Sequence, residues 1–160
     1  DLVTPLMVVA TNYWKRKQVV LSKGELMRAV RASYSMPGLF VPVKIGRDLL
    51  VDGGLMNPLP YDILAEHCDI TVAVNVSVKE TTGTTRPPHA QDVVFSAFQI
   101  LQNSIVREML IRRPPDIVIE TDIKNVRVLE FGKAKSIYAQ ALSAKEELKT
   151  KLDRVLSDAG

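Results

Sequence analysis

Hydrophobic positions along the chain change period several times, and each change marks an element. "PLMVVATN", Pro5 to Asn12, is a short apolar run closed by polar residues and predicts a buried strand. "QVVLS" predicts a second strand, and the "KRK" between the two suits a solvent-facing hairpin turn. In "SKGELMRAVRASYSMPG" the period lengthens. Leu26, Ala29, Val30 and Ser33 fall at helical spacing, and Pro37-Gly38 stop the helix. "DLLVDGG" predicts a short strand running into a loop, and "LPYDILAEH" a helix with Pro60 near its first turn. "DITVAVNVSV", rich in β-branched residues, is the clearest strand.

The second half has fewer, longer elements. Gln91 to Arg113 predicts a long helix, with Val94, Phe98, Leu101, Ile105 and Met109 recurring at spacings of three and four. Val93, Ala97 and Ile100 widen this stripe, which predicts a core-facing side. Pro114-Pro115 end the helix and "DIVIET" predicts another buried strand. Lys133 to Leu156 predicts a last helix with Ala141, Leu148, Leu152 and Val155 on one face. Strands alternating with helices argue an α/β layered domain, with a largely parallel sheet flanked by helices. The polar "ETTGTTRPPHA" reads as an exposed loop, about 79–91, inside one domain spanning 1–160.

Composition narrows the class. Of 160 residues, 46% are hydrophobic and 24% charged, as in ordinary globular domains with a sizeable core. A single cysteine, Cys68, cannot form an internal disulfide. No apolar run reaches the roughly 18 residues of a membrane span, and no secretory signal is visible. The chain starts at Asp1 and enters an apolar strand almost at once, so we expect it to be the back part of something longer. The expected location is cytoplasmic or peripheral to a membrane. The net charge is +3 and the pI about 9.0. Lys15 to Lys17 and Arg112-Arg113 are the densest basic spots. They read as solvated surface, with attraction to an anionic membrane or substrate as the sharper alternative. A nucleic-acid role would need a broader basic face with interleaved aromatics, so no nucleic-acid partner is expected.

The candidate chemistry lies in "LLVDGGLMNPLP", Leu49 to Pro60. An apolar strand runs straight into the carboxylate of Asp52, where functional groups gather past the carboxyl ends of strands in open α/β sheets. Gly53 and Gly54 beside it would allow positive φ and close approach of backbone or ligand. The plainer alternative is a turn aspartate that caps nearby N–H groups.

The words around Asp52 weigh against the plainer alternative. "AVRASYSMPGLFVPV", Ala29 to Val43, followed by "LVDGGLMNPLP", resembles the patatin-like phospholipase family. That family carries a helix ending in Ala-Ser, a Pro-Gly-hydrophobic-hydrophobic-Pro stretch, and an Asp-Gly-Gly or Asp-Gly-Ala box ahead of Asn-x-x-Pro. "VVATN" resembles the family strand before the hairpin, and "DITVAVNVS" the strand after the box. The resemblance covers Pro5 to Ser77 well and "VRVLEFGKAKSIYAQA" more loosely. It implies a lipid acyl hydrolase that uses a serine–aspartate dyad without histidine. Asp52 maps onto the dyad base, and Gly53 and Gly54 onto the glycines of the box. No metal or organic cofactor is implied. The implied partners are a phospholipid or other acyl-ester substrate and a peripheral membrane contact. Association with a missing N-terminal part, or self-association, is also expected.

The chain departs from the family pattern in two respects. No serine here has glycines at both −2 and +2, so the Gly-x-Ser-x-Gly elbow is absent from these 160 residues. The Gly-rich oxyanion loop is absent as well. Ser22, in "VLSKG", comes nearest to the elbow and lacks its first glycine. Ser33 and Ser35 are expected to pack and cap. The piece would therefore hold half of a dyad, and by itself would lack serine-dependent activity. His67, His89 and Cys68 have no metal-ligand spacing beyond the adjacent His67-Cys68, a poor chelating pair. Cys68, ahead of a buried strand, is expected in the core. The acids from Asp116 to Asp122 fit strand ends rather than a paired-carboxylate site. Within this scaffold the long helix could also serve as the wall of an acyl-chain channel or as a lipid contact. Rival readings are an acyltransferase or thioesterase on the same scaffold, and a catalytically silent binding or regulatory module.

Overall fold

Residues 2–77, 89–124, 126 and 130–158 are described by a computed structural model of the chain. The predicted loop at about 79–91 lies outside them except for residues 89–91, as do residues 127–129 of the C-terminal resemblance. Contacts gather into two compact units, one of Asp1–Pro60 with Ile100–Val106 and one of Tyr61–Gln99 with Arg107–Gly160.

In the first unit, β1 (Val8–Asn12) and β2 (Lys17–Leu21) form the hairpin that the apolar runs around "KRK" predict. Helix α1 (Leu26–Ser33) follows, then β3 (Val43–Ile45) and β4 (Asp48–Asp52). The sheet order is β2-β1-β4-β3, with every pair antiparallel. Strand β3 has no signal of its own in the pattern, because it is three residues long and carries Lys44 at its centre. Register sets Ala10 opposite Asp52, Asn12 opposite Leu50, and Val43 opposite Leu50. Alternation then gathers Ala10, Val43 and Leu50 on the face that α1 covers with Ala32. Leu50 is 1% exposed there, and burying it contributes about 2 kcal/mol. The apolar side of α1 is carried by its alanines: Ala29 and Ala32 are buried, while Leu26 and Val30 stay exposed.

The second unit pairs β5 (Val72–Asn75) with β6 (Ile117–Glu120) in parallel, Val72 opposite Ile117. Helix α2 (Ala90–Arg112) lies between them in sequence, the long crossover that parallel pairing requires. The helix α4 (Leu142–Asp158) covers this pair: Ala144 is buried with Ile117 and Ile119, and Leu148, Leu152 and Val155 pack beside them. Tyr61 is buried and donates its hydroxyl hydrogen to the Arg113 carbonyl at 2.8 Å.

The α/β class holds, with a parallel sheet and helices. Among the described strands parallel pairing is confined to β5 and β6. Turns of four residues (13–16) and two residues (46–47) oblige β1–β2 and β3–β4 to pair antiparallel, and β1 pairs with β4 in the same sense. Three further expectations change. The "LPYDILAEH" segment is a 3-10 turn over Pro60–Leu64, not a longer helix; it tightens into i→i+3 bonds such as His67 N–H to the Leu64 carbonyl. The last helix is interrupted at Ala141, after a 3-10 turn Phe131–Lys133 and α3 (Ala134–Gln140). The apolar stripe of α2 is not core: Val93, Val94, Ile100 and Leu101 are all more than half exposed, whereas Val106 is buried. Periodicity records that a face is apolar; it does not supply the surface that covers it.

Candidate active site

Asp52 is the last residue of β4, and its backbone is fixed on both sides. Its N–H donates to the Ser35 carbonyl at 3.0 Å, tying the strand end to the loop after α1. On its other side the chain coils at once into a 3-10 turn, Gly53–Leu55, where Met56 and Asn57 donate their N–H groups to the Gly53 carbonyl. The carboxylate folds back over this turn, and Oδ1 accepts the Gly54 N–H at 2.7 Å. Asp52 is half-buried. Burial pushes its pKa above the ordinary carboxylate value, and the single Gly54 N–H opposes this only in part. A carboxylate with a raised pKa and one backbone donor is a better proton acceptor than a solvated one.

The two glycines are required for a reason other than the one their sequence suggests. Neither has positive φ; among the described residues the glycines in that region are Gly24, Gly38 and Gly46. Gly53 is buried against β1, and a Cβ there would collide with the Val9 carbonyl. A Cβ on Gly54 would meet the side-chain amide of Gln102 and lie 3.0 Å from Asp52 Oδ1. Both positions therefore serve close approach, of backbone at one and of side chains at the other.

The serines stand apart from this chemistry. Ser35 is fully buried, and its hydroxyl donates to the Arg31 carbonyl at 2.6 Å. It caps α1 and is not directed at Asp52, in keeping with the capping expected of it. Ser33 ends α1, half-buried. Ser22 is exposed past the end of β2. Asn57 of the Asn-x-x-Pro box is buried and donates from Nδ2 to Gln18 Oε1 on β2 at 3.0 Å, so the box is anchored to the hairpin. Gln102, from the long helix, carried no signal in the sequence beyond being polar within an apolar stripe.

The remaining candidates fall elsewhere. His89 precedes α2, where its N–H donates to Asp92 Oδ2, so it belongs to the helix start rather than to the polar loop. His67 is exposed. Cys68 is exposed, contrary to the core expected of it, and donates its thiol hydrogen to the Leu64 carbonyl at 3.2 Å. It sits in the turn before β5, outside the strand's buried span. Asp116 is clamped by Thr71, whose N–H and hydroxyl both donate to Oδ2 at 2.7 Å, and these bonds hold its pKa below the ordinary value. Among the described residues no group of three or more His, Cys, Asp or Glu is arranged to hold a metal ion. None of their helices is long and apolar enough to cross a membrane. A cleft of about 630 Å³ opens in the first unit between Pro5, Leu6, Leu21, Lys23 and Leu26; Asp52 does not line it.

Comparison with known proteins covers the segment that carries Asp52. The family model described as patatin-like phospholipase matches residues 2–65. An uncharacterised NTE family protein of Mycobacterium tuberculosis is 38% identical over 81 residues, covering 50% of this chain and 22% of that protein. Another from the same species is 29% identical over 164 residues, covering 86% of this chain and 28% of its own length. Lysophospholipase NTE1 of Candida glabrata is 27% identical over 156 residues, covering 81% of this chain and 9% of that protein. The chain thus spans between 9% and 28% of the length of these relatives. The matched segment runs from before β1 to beyond the Asp52-Gly53-Gly54 turn, so the part of this chain that is similar to the patatin-like phospholipase family contains the candidate carboxylate.

Proposed function

We propose that this chain is part of a lipid acyl hydrolase that cleaves carboxylic esters by a serine–aspartate dyad, with Asp52 as the base. The observation that carries this reading is the state of Asp52: fixed at a strand end, partly desolvated, raised in pKa and held by one N–H. The family match and the likeness to a protein named lysophospholipase support the substrate class. In this reading the nucleophilic serine is supplied from outside these 160 residues.

The chemistry assigned to Asp52 is proton transfer. Its carboxylate takes the serine hydroxyl proton as the oxygen attacks the ester carbonyl, and returns it to the alkoxide that leaves. Water then attacks the acyl-enzyme ester and gives its proton to Asp52, which returns it to the serine oxygen as the acyl–oxygen bond breaks and the fatty acid departs. A carboxylate is a weak base for an alcohol, so positioning and oxyanion stabilisation must supply much of the rate. Gly53 lets β4 lie close on β1 so that Asp52 is held rigidly, and Gly54 lets the Gln102 side chain approach beside the carboxylate.

The test uses a polypeptide that joins this chain to a segment bearing a Gly-x-Ser-x-Gly serine. Asp52→Asn keeps the shape and one acceptor and removes the base. kcat/KM on one acyl ester should fall by about 10²–10⁴, with the melting temperature not lowered. Activity within about threefold of the parent, under 1 kcal/mol in barrier, would return Asp52 to a turn cap. The 160-residue chain alone should take no label on serine from a fluorophosphonate probe; stoichiometric labelling would place the nucleophile within it and overturn that part.

A further inference from the structure

The β1–β2 turn and the β3–β4 turn lie at the same end of the first sheet, because β1 and β4 are antiparallel neighbours. Tyr13 N–H donates to the Leu49 carbonyl, and Lys15 Nζ meets Asp48 Oδ1 at 2.8 Å, so the two tips are bonded to each other. Asn12, buried beneath them, accepts the N–H groups of Trp14 and Lys15 on its side-chain oxygen and fixes the turn. On that fixed turn Tyr13 and Trp14 stand in the open, 52% and 73% exposed, edge to face with centroids 4.7 Å apart. Around them are the exposed Lys15, Arg16 and Lys17 of one tip and Lys44 and Arg47 beside the other. Asp48 is the one acid in these two stretches, and Lys15 neutralises it. The charge is local: residues 1–60 hold eight Lys or Arg against four Asp or Glu, while the whole chain is only +3.

Rings with an apolar body and a polar edge, ringed by lysine and arginine, match the boundary between headgroups and acyl chains of an anionic bilayer. Five of the eight Lys and Arg of residues 1–60 (Lys15, Arg16, Lys17, Lys44 and Arg47) sit at this end of the sheet, a compact patch around two rings rather than the broad basic face with interleaved aromatics of a nucleic-acid site. We infer that the joined tips of the two hairpins, with Trp14 and Tyr13 at the centre, are a docking surface for an anionic lipid membrane. This rests on the lipid-hydrolase reading and sharpens it, since such an enzyme must reach an ester held in an aggregate. It also sets the geometry. Asp52 is at the other end of β4, about 13 Å along the strand from Asp48 at 3.3 Å per residue, so the contact does not touch the carboxylate.

Trp14 is the only tryptophan in the chain, so its emission reports this surface alone. The experiment mixes the full 160-residue chain with vesicles of phosphatidylcholine alone, and of phosphatidylcholine with phosphatidylglycerol, and follows Trp emission and co-sedimentation. Anionic vesicles should shift the emission to the blue, protect it from acrylamide and sediment the protein. Neutral vesicles should do little, and added salt should weaken the effect. Arg16→Ser with Lys17→Ser should weaken binding by about tenfold or more, and Trp14→Ser should abolish sedimentation at low lipid; circular dichroism checks that each stays folded. Unchanged emission with anionic vesicles, or sedimentation insensitive to these variants, would overturn the inference. So would an equal emission shift with polyglutamate or heparin, which would make the tips a general polyanion site. The readout is binding, so loss of hydrolysis in the Asp52 test leaves it standing, and its own failure leaves Asp52 untouched.

Discussion

Asp52 and Asp116 are both aspartates at strand boundaries, one in each unit, and their surroundings push them in opposite directions. Asp116 precedes β6 and takes two donors from Thr71, while its own N–H donates to the Thr71 hydroxyl at 3.1 Å. These bonds favour its charged form and lower its pKa. Asp52 ends β4, loses more solvent and keeps one donor, Gly54 N–H; burial wins and its pKa rises. The first arrangement is a clamp that holds two strand starts together. The second leaves a carboxylate with unspent capacity to accept a proton. The number of donors set against the extent of burial distinguishes a structural carboxylate from a candidate base; position at a strand boundary does not.

The strongest break in this comparison is catalytic. In a polypeptide that supplies the serine, Asp52→Asn should cost about 10²–10⁴ in kcat/KM, whereas Asp116→Asn should stay within about threefold. Equal losses would mean that both residues act through the fold. Next comes the turn. Gly53→Ala puts a methyl against the Val9 carbonyl, a backbone group that cannot swing aside, and should destabilise by about 1–3 kcal/mol in chemical denaturation. Gly54→Ala meets mainly the flexible Gln102 side chain; its smaller cost should be largely recovered in the Gly54→Ala, Gln102→Ala pair. An undiminished cost in the pair would place the strain in the turn itself.

Acidity separates the two aspartates by sign. Asp52 binds its proton more tightly folded than unfolded, so its contribution is fully favourable below the ordinary carboxylate pKa and is lost as pH rises through the raised native value. Asp52→Asn should then melt with the parent at about pH 2 and above it at about pH 7. Asp116 behaves in reverse: its contribution is present above the ordinary value and lost as pH falls through its lowered native pKa. Asp116→Asn should melt below the parent near neutrality and converge with it in acid. Thermal melts across that range check both, and differences of the same sign would refute the assignment. The smallest effect is expected of Thr71→Val, which keeps the backbone N–H donor and removes the hydroxyl that both accepts and donates in the clamp. Its loss of Tm should be less than that of Asp116→Asn and should shrink in acid with it.

Several features of this molecule are written in short-range pattern. The apolar runs ending at Asn12 and Asp52, the helical spacing after Gly24, the β-branched run at Val72 and the long helix from Ala90 to Arg112 follow from alternation, period and proline stops. The ordered words from Ala29 to Pro60 were enough to single out Asp52 and its two glycines. The structure decided what those residues are used for. Gly53 is glycine because β1 lies against it, a partner some 40 positions away in sequence, and no local rule about φ predicts that. The exposure of Cys68 and of the α2 stripe, and the meeting of Lys15 with Asp48, likewise depend on which surfaces cover which. Periodicity and turn chemistry are properties of neighbours along the chain. Desolvation, donor count and close approach belong to neighbours in space, and they made one aspartate a clamp and the other a candidate base.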